Sequence, residues 1–469
     1  MKQATLYVDL DDTLIFTDVL YETYILLIKQ KPFFAFLAIF YLLKSKHAFK
    51  GFIATHVNLN IKTLPFNEEL ILFLRSNKTR WDRIVLATAS HEKYAIEVAE
   101  MFSDVFDDVL ASNETRNLKS SRKLQEIDSD SDVFDYVGDS AADRVIFRNA
   151  SSSFLVSKSS NKFSDLSFEK TFLRAPLTLK VILKQIRIHQ WTKNALLFVP
   201  LLTSGLFVNI DSILTSTIGF FAFSFLASST YIINDLFDLE SDRQHPNKSK
   251  RPIACGTLSI PAASLLAGLL FATSFTLAAT LSTEFILILV VYLVLTLSYS
   301  LKFKQYVALD TILLASLYTI RIIGGAILIS VALSFWLLAF SMFIFFSLAL
   351  VKRCAELKLL ERNKENAATG RDYNSQDYAT LSSFGASSSM LAVLMFCFYL
   401  NSDVLDNQYS SPNILWAAIP MLAYWLVRIW IKTSRGEMTD DPIVFALKDR
   451  GSLIIVVGLA AITIFGKVF

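Results

Sequence analysis

Long apolar stretches recur from about residue 190 to the end of the chain, and nothing else in the sequence restricts its fold as strongly. A helix of about twenty apolar residues crosses a ~30 Å hydrocarbon layer. Nine candidates lie roughly at 194–209, 212–233, 261–280, 285–300, 307–328, 334–351, 379–400, 413–431 and 452–466. With 53% apolar residues and a mean hydropathy of +0.45, the composition argues against a wholly soluble protein. The net charge is only +3, from 45 basic and 42 acidic residues. No large uniform field is available to hold nucleic acid, and none is expected as a partner.

Cations give the expected orientation, because Lys and Arg stay on the cytoplasmic side of short loops. The segments joining spans 2–3, 4–5, 6–7 and 8–9 hold 4, 2, 6 and 4 of them, and the alternate loops hold none. The N-terminal half meets acidic residues at once and has no room for a signal-peptide core, so it is expected on the same, cytoplasmic side of an inner membrane. An odd number of spans then puts Phe469 outside. Cys255, Cys354 and Cys397 are far apart without CxxC spacing and read as free thiols.

Residues 1–158 have a different character. Short β-type runs at 5–10, 83–87, 133–137 and 153–156 alternate with helical periodicity, which predicts a parallel-sheet α/β domain. Eight serines in the seventeen positions 151–167 mark a connector. Residues 159–185 are read as linker and lead-in, and 186–469 as the membrane part.

The run at 5–10 ends in Asp9-Leu10-Asp11-Asp12-Thr13, placing carboxylates at the carboxyl end of a strand, where open α/β sheets bind ligands. Alternate strand residues point the same way, so Asp9 and Asp11 can share one phosphate and one cation. Thr88 ends a second strand, and Asp139 and Asp143 follow a third, with Lys119 and Lys123 between. Carboxylates, a hydroxyl and a lysine at strand ends form the set for magnesium-assisted phosphoryl transfer through an aspartate.

The order of these four motifs, over about 150 residues, resembles the haloacid dehalogenase-like phosphatases. That resemblance implies a Rossmann-like domain with a helical cap at about 15–80. It makes Asp9 the nucleophile and Asp11 the general acid/base. Asp9, the Asp11 carbonyl and Asp139, with help from Asp143, would hold Mg²⁺. Thr88 and Lys123, or alternatively Lys119, would neutralise the phosphoryl oxygens. Within the cap span, residues 33–43 are eleven apolar residues framed by Lys29, Lys31, Lys44 and Lys46, too few to cross a bilayer. They form either a membrane-interface helix or a buried cap helix.

At the inner end of span 2 stands Asn234-Asp235-Leu236-Phe237-Asp238-Leu239-Glu240-Ser241-Asp242. At about 100° per residue, Asn234, Asp235, Asp238 and Asp242 share one helical face. Oxygen ligands at this density suit Mg²⁺ carrying substrate phosphates, and Lys248, Lys250 and Arg251 follow directly. Further polar groups gather beside other spans: Arg187, Lys193 and Asn194; Tyr299, Lys302 and Lys304; Lys352 and Arg353. Arg321 lies inside span 5, where an ionisable group is costly and points either to function or to a structural partner such as Asp310.

The spans, the NDxxDxxxD ladder with Lys250-Arg251-Pro252, and the cluster led by Tyr299 resemble the UbiA superfamily of membrane transferases, over about 290 residues. The expected architecture is therefore an α/β domain followed by an all-α, nine-helix transmembrane bundle, with Mg²⁺ in both. Aromatic prenyltransferases of that superfamily carry a second acidic pair, but Asp310 is followed at i+4 by Leu314. The stretch 186–194, the ladder with His245-Pro246, and the run 352–356 look like the branch that makes polyprenyl-phosphate phosphoribose. That branch implies a soluble diphosphate donor, phosphoribosyl diphosphate, and a lipid-phosphate acceptor. A prenyl diphosphate and an aromatic acceptor, with a regulatory soluble half, form the alternative. An ion-coupled transporter would need acids near the bilayer midplane, whereas Asp235 to Asp242 fall at the membrane edge.

Overall fold

The computed structural model describes residues 4–113, 116–159, 162–363, 372–402, 409–438 and 442–468. Two cations of the 6–7 segment, Lys364 and Arg371, and part of the 401–413 loop lie outside them. The chain divides into two compact units. One is Met1–Ile186 with Tyr231–Ala267; the other is Arg187–Thr230 with Gly268–Phe469.

The first unit is built on a six-stranded parallel sheet. Its strands are β1 (Thr5–Val8), β2 (Arg83–His91), β3 (Asp108–Ser112), β4 (Phe134–Gly138), β5 (Ser153–Ser157) and β6 (Lys170–Leu173), in the order β3-β2-β1-β4-β5-β6. Helices cover both faces, so β1 and β4 are buried at every residue, and the one carboxylate among them, Asp135 of β4, accepts from the Trp81 indole. In register, Val8 faces Leu86 on one side and Val137 on the other. Asp9, Thr88 and Asp139 therefore emerge from the same edge of the sheet.

Two strands were not legible. β3 opens with an exposed Asp108, and β6 falls inside the stretch expected to be a linker. The sheet thus runs beyond residue 158. The serine-rich stretch does not prevent this, because Ser153 and Ser157 are small enough to be buried within β5.

Between β1 and β2 the chain forms four α-helices, α1 (Val19–Gln30), α2 (Pro32–Lys44), α3 (Lys46–His56) and α4 (Glu68–Ser76), of which the first three pack together. Asp18 and Ser45 cap α1 and α3 by accepting from the backbone N–H groups of Leu20 and Ala48, and Pro32 starts α2 where a missing N–H costs nothing. Leu27, Ala35, Ala38, Phe49, Ile53 and Val57 form their shared core.

Among the described residues, seven helices are long and apolar enough to cross a membrane: Ile210–Phe237, Ile260–Ala279, Thr283–Leu301, Leu309–Leu328, Phe335–Arg362, Ser375–Leu400 and Asn413–Ser434. The expectation of nine is corrected to seven. The first expected span, 194–209, is a chain of short turns: Ile188–Phe198 and Leu206–Val208 are 3-10, and Val199–Thr203 is α-helical. Pro200 lacks an N–H, and Gly205 adopts a positive φ of 68°, so no continuous helix forms there. The last, Arg450–Gly466, is a shorter apolar helix. The Phe335–Asn363 helix also runs past its expected end, so Lys352 and Arg353 lie on a helix rather than in a loop.

Within the second unit, Ala315, Ile322, Phe345, Leu348, Ala392, Leu422 and Leu426 form a continuous core. Packing there relies on small residues, as in membrane helices generally. A Cβ at Gly385 would lie 2.1 Å from the Trp430 ring.

Candidate functional sites

The carboxyl edge of the sheet gathers the expected acidic groups. Asp9, Asp139 and Asp143 present oxygens that all lie within 4.8 Å of one another. Of the two lysines weighed from sequence, Lys123 is the one that enters: its ammonium donates to Asp9 at 2.9 Å and to the Tyr136 hydroxyl at 3.1 Å, with Asp143 at 3.8 Å. The Asp143 carboxylate also accepts from Tyr136 (2.9 Å) and from the Ser140 hydroxyl (2.6 Å). Asp143 is therefore largely committed to neighbours, leaving Asp9 and Asp139 as the more available ligands.

Asp11 turns toward the start of α1. It accepts from the Val19 N–H at 2.9 Å, from Ser90 at 2.6 Å and, more weakly, from Thr88 at 3.4 Å. The chain makes this reversal by placing Asp12 in the left-handed region, φ 55°, which aspartate tolerates better than most residues.

Burial dominates the electrostatics. It pushes the Asp9 carboxyl up to about 7, with Asp143 and Asp11 adding repulsion and Lys123 opposing. Asp11 also rises to about 7, through burial and then the charge of Asp18. Asp139 rises to about 8, through burial and then Asp9. Burial works against the Lys123 charge, but attraction to Asp9 and Asp143 outweighs it and holds the ammonium above the ordinary lysine value. Lys50 opposes the rise at Asp11 and Lys162 that at Asp139, but burial outweighs both. The oxygen cluster of Asp9, Asp139 and Asp143 therefore fits a hard divalent cation such as Mg²⁺ in chemistry and spacing.

Sequence reasoning missed several residues here. Ser90 lies two positions beyond Thr88, Tyr136 sits on β4, and Lys50 of α3 donates to the Ala89 carbonyl at 2.6 Å. Arg174, just beyond β6, donates to the Asp12 carboxylate at 2.7 Å and to the Gly256 carbonyl at 3.2 Å. Only a residue two steps from a known motif, such as Ser90, could have been suspected from spacing.

The ladder belongs to the same unit. The long helix ends at Phe237, and Asp238 (φ −100°, ψ 13°) separates it from Leu239–Gln244, so the ladder is not one straight helix as the helical-face argument assumed. Asp235 and Asp242, two turns apart, still come together on Arg251, which donates to Asp235 at 2.9 Å and also to Asp242. Gln185 adds a hydrogen bond to Asp235 at 2.8 Å. Burial raises the Asp242 carboxyl even against Arg251. Asp238 instead lies 3.9 Å from Lys29 of α1. Asn234 is half-buried, and Lys250 is exposed. Next to Asp242, Arg243 forms a buried ion pair with Glu22 of α1 at 2.6 Å, and Glu22 accepts from Thr17 at 2.6 Å.

The other expected donor-binding residues lie in the second unit. Asn194 and Arg321 are buried together: the guanidinium donates to the Asn194 oxygen at 2.8 Å, and Asn194 donates to Ser224 at 2.9 Å. The Arg321 guanidinium also sits 5.0 Å from the rings of Phe223 and Tyr292. Asp310 is not the Arg321 partner. It pairs with Arg353 at 2.5 Å and accepts from Tyr373 at 2.5 Å, while Arg353 also reaches Glu356 (2.7 Å) and the Tyr299 hydroxyl (3.1 Å). Arg187, Lys193, Lys304 and Lys352 are half-buried, and Lys302 is exposed at the end of Thr283–Leu301.

The pattern of the UbiA prenyltransferase family matches residues 195–449. The chain belongs to that family. A Sinorhizobium fredii protein, the uncharacterized y4nM, is 36% identical over 458 residues, covering 96% of this chain and 89% of its own. The decaprenyl-phosphate phosphoribosyltransferase of Mycobacterium tuberculosis is 33% identical over 274 residues, covering 57% of this chain and 88% of its own. A solved UbiA homolog from Archaeoglobus fulgidus, bound to GPP and Mg²⁺, aligns with a TM-score of 0.48 at 16% identity, over 61% of this chain and 98% of that one. This UbiA-family chain thus joins an N-terminal parallel α/β domain to a helical membrane bundle.

Proposed function

We propose that this chain transfers 5-phosphoribose from phosphoribosyl diphosphate to a polyprenyl phosphate, and that its α/β domain hydrolyses a phosphomonoester, such as the 5-phosphate so installed. Transfer breaks the bond from sugar C1 to the diphosphate oxygen and forms one from C1 to a lipid-phosphate oxygen; diphosphate leaves. Similarity to the mycobacterial phosphoribosyltransferase supports the donor. So does the sequence after Asp310, where Leu314 stands one turn on in place of a second acidic residue.

The observation that carries the transfer reading is the convergence of Asp235 and Asp242 on Arg251. Acids and a guanidinium held together can exchange partners, the acids taking a cation and the guanidinium a phosphate. Mg²⁺ held by Asn234, Asp235, Asp238 and Asp242 would offset charge on the departing diphosphate. Lys193, Lys250, Arg251, Tyr299, Lys302 and Lys304 are assigned to donor phosphates or the acceptor head group, with Arg187, Asn194, Arg321, Lys352 and Arg353 supporting them. The loop cations support placing both reactions on the cytoplasmic side.

In the α/β domain, Asp9 is assigned as nucleophile and Asp11, with a carboxyl near neutrality, as general acid/base. Thr88 and Lys123 would hold phosphoryl oxygens. Asp9 and Asp139 would share Mg²⁺, whose part is charge neutralisation. Membranes containing the protein, supplied with labelled phosphoribosyl diphosphate and polyprenyl phosphate, should form a labelled lipid. Label incorporated only from prenyl diphosphate into an aromatic acid would overturn the donor assignment. Mass spectrometry of the lipid with and without Asp9 tests the second step.

A further inference from the structure

In a water-soluble domain, a surface helix turns its large apolar side chains inward. Helix α2 does the opposite. Its fully buried residues are Ala35 and Ala38, whereas Phe33, Phe36, Ile39, Phe40 and Leu43 are 68%, 60%, 44%, 56% and 80% exposed. At about 100° per residue these five fall within roughly 120° of arc, so they form one outward face. Phe36 and Phe40 pack edge to face at 5.5 Å along it.

The thirteen residues of α2 reach about 20 Å, too short to cross a ~30 Å hydrocarbon core. An apolar face of this size marks an interaction surface. The occupant is indicated by two features. The chain is already anchored in a bilayer through its spanning helices, and two exposed lysines, Lys44 and Lys46, stand at the C-terminal end of the helix, whereas the Lys29 and Lys31 ammonium groups at its other end donate to the Phe237 and His56 carbonyls. A flat apolar face bounded by cations matches an anionic lipid surface, with rings at the acyl boundary and ammonium groups among the phosphates.

We propose that α2 lies in the headgroup layer of an anionic bilayer, its Phe33–Phe36–Phe40–Leu43 face toward the acyl chains. This placement does not depend on either assigned reaction. It does have a consequence for the α/β site: α3 stacks on α2 through Tyr41 and Phe52, at 4.3 Å, and carries Lys50 to the Ala89 carbonyl of β2, next to Ser90, which donates to Asp11. A lipid-borne phosphate would thereby be presented from the cap side.

The test uses the full chain in proteoliposomes of phosphatidylcholine with phosphatidylglycerol. A benzophenone side chain replaces Phe36, Phe40 or, as a control, Leu72, which is 59% exposed on Glu68–Ser76. After illumination and mass spectrometry, positions 36 and 40 should give about tenfold more lipid adduct than position 72. Lys44→Glu with Lys46→Glu should lower the adduct severalfold in these vesicles and leave it unchanged in phosphatidylcholine alone. Equal lipid adducts at positions 36 and 72, adducts to a second copy of the chain, or adducts only within the chain would each overturn the assignment. Indifference to the lysine substitutions would overturn its anionic part. Transfer and hydrolysis enter none of these readouts, so the location can fail while the proposed reactions stand, or the reverse.

Discussion

The two acidic clusters of the first unit solve the same problem in different ways. At the sheet edge, Asp9, Asp139 and Asp143 gather around Lys123, with Lys162 beside Asp139, and burial pushes the Asp9 and Asp139 carboxyls toward neutrality. At the ladder, Asp235 and Asp242 share one guanidinium and Asp235 also a glutamine, so both carboxylates are taken by internal donors while one negative charge remains in excess. The first arrangement is completed by adding a cation; the second needs an internal cation to leave first. Ligand binding should therefore be chiefly a matter of metal at the sheet edge, and of metal together with anionic donor at the ladder.

Separating the chemistries produces the largest effects. Asp242→Asn should lower transfer by about 10³-fold while leaving phosphomonoester hydrolysis intact, and Asp9→Asn should do the reverse, since each removes charge at one of the two proposed reacting centres. Paired assays on the same reconstituted preparation measure both. Loss of both activities in either variant would mean that the clusters act as one site.

Removing the arginine makes the ladder resemble the sheet edge. Arg251→Met removes the guanidinium that two buried carboxylates share, at a cost of about 3 kcal/mol or more without metal. Mg²⁺ should then stabilise the variant by a larger rise in melting temperature than it gives the parent chain. If the two rises are equal, the ladder is not a cation site.

The two clusters also differ in how far they could be read from sequence. Asp9, Thr88 and Asp139 were legible because strand register carries each to the same edge, and register follows from apolar runs that are visible in sequence. The ladder was legible as spacing but not as shape: Asp235 and Asp242 do meet, yet the break at Asp238 sends that side chain toward Lys29. The partners Glu22, Arg174 and Gln185 lie 50 or more positions from what they bind, and no local pattern reports such pairing. The false first span had enough apolar residues, but Pro200 and Gly205 outweighed hydropathy.

A smaller effect tests how the ladder is tied to the cap. Arg243 and Glu22 are both nearly buried, so Glu22→Gln leaves a guanidinium partly unpaired and should cost about 2–3 kcal/mol. Denaturant or thermal unfolding of the full chain measures this. Glu22→Leu combined with Arg243→Met should recover much of the loss. A double variant as unstable as the sum of its singles would show that the pair is not coupled.

The smallest effect is a pH dependence centred on the sheet edge, to which Asp242 of the ladder adds in the same direction. Asp9, Asp11 and Asp139 have native carboxyls at about 7, 7 and 8 against an ordinary 3.8, so the native state binds more protons than the unfolded chain between these values. Their contribution is fully present below about pH 4 and is lost as pH rises through 7 to 8, so without metal they make the protein less stable toward alkaline pH. Mg²⁺ favours the ionised carboxylates and must release protons to bind, which makes its affinity rise over the same range. The gap between melting temperatures with and without Mg²⁺ should therefore widen from pH 5 to pH 8, and Asp139→Asn should flatten that widening. Because other groups titrate equally in both buffers, the gap isolates the metal-linked carboxyls, and a gap constant with pH would mean that Mg²⁺ does not bind among them.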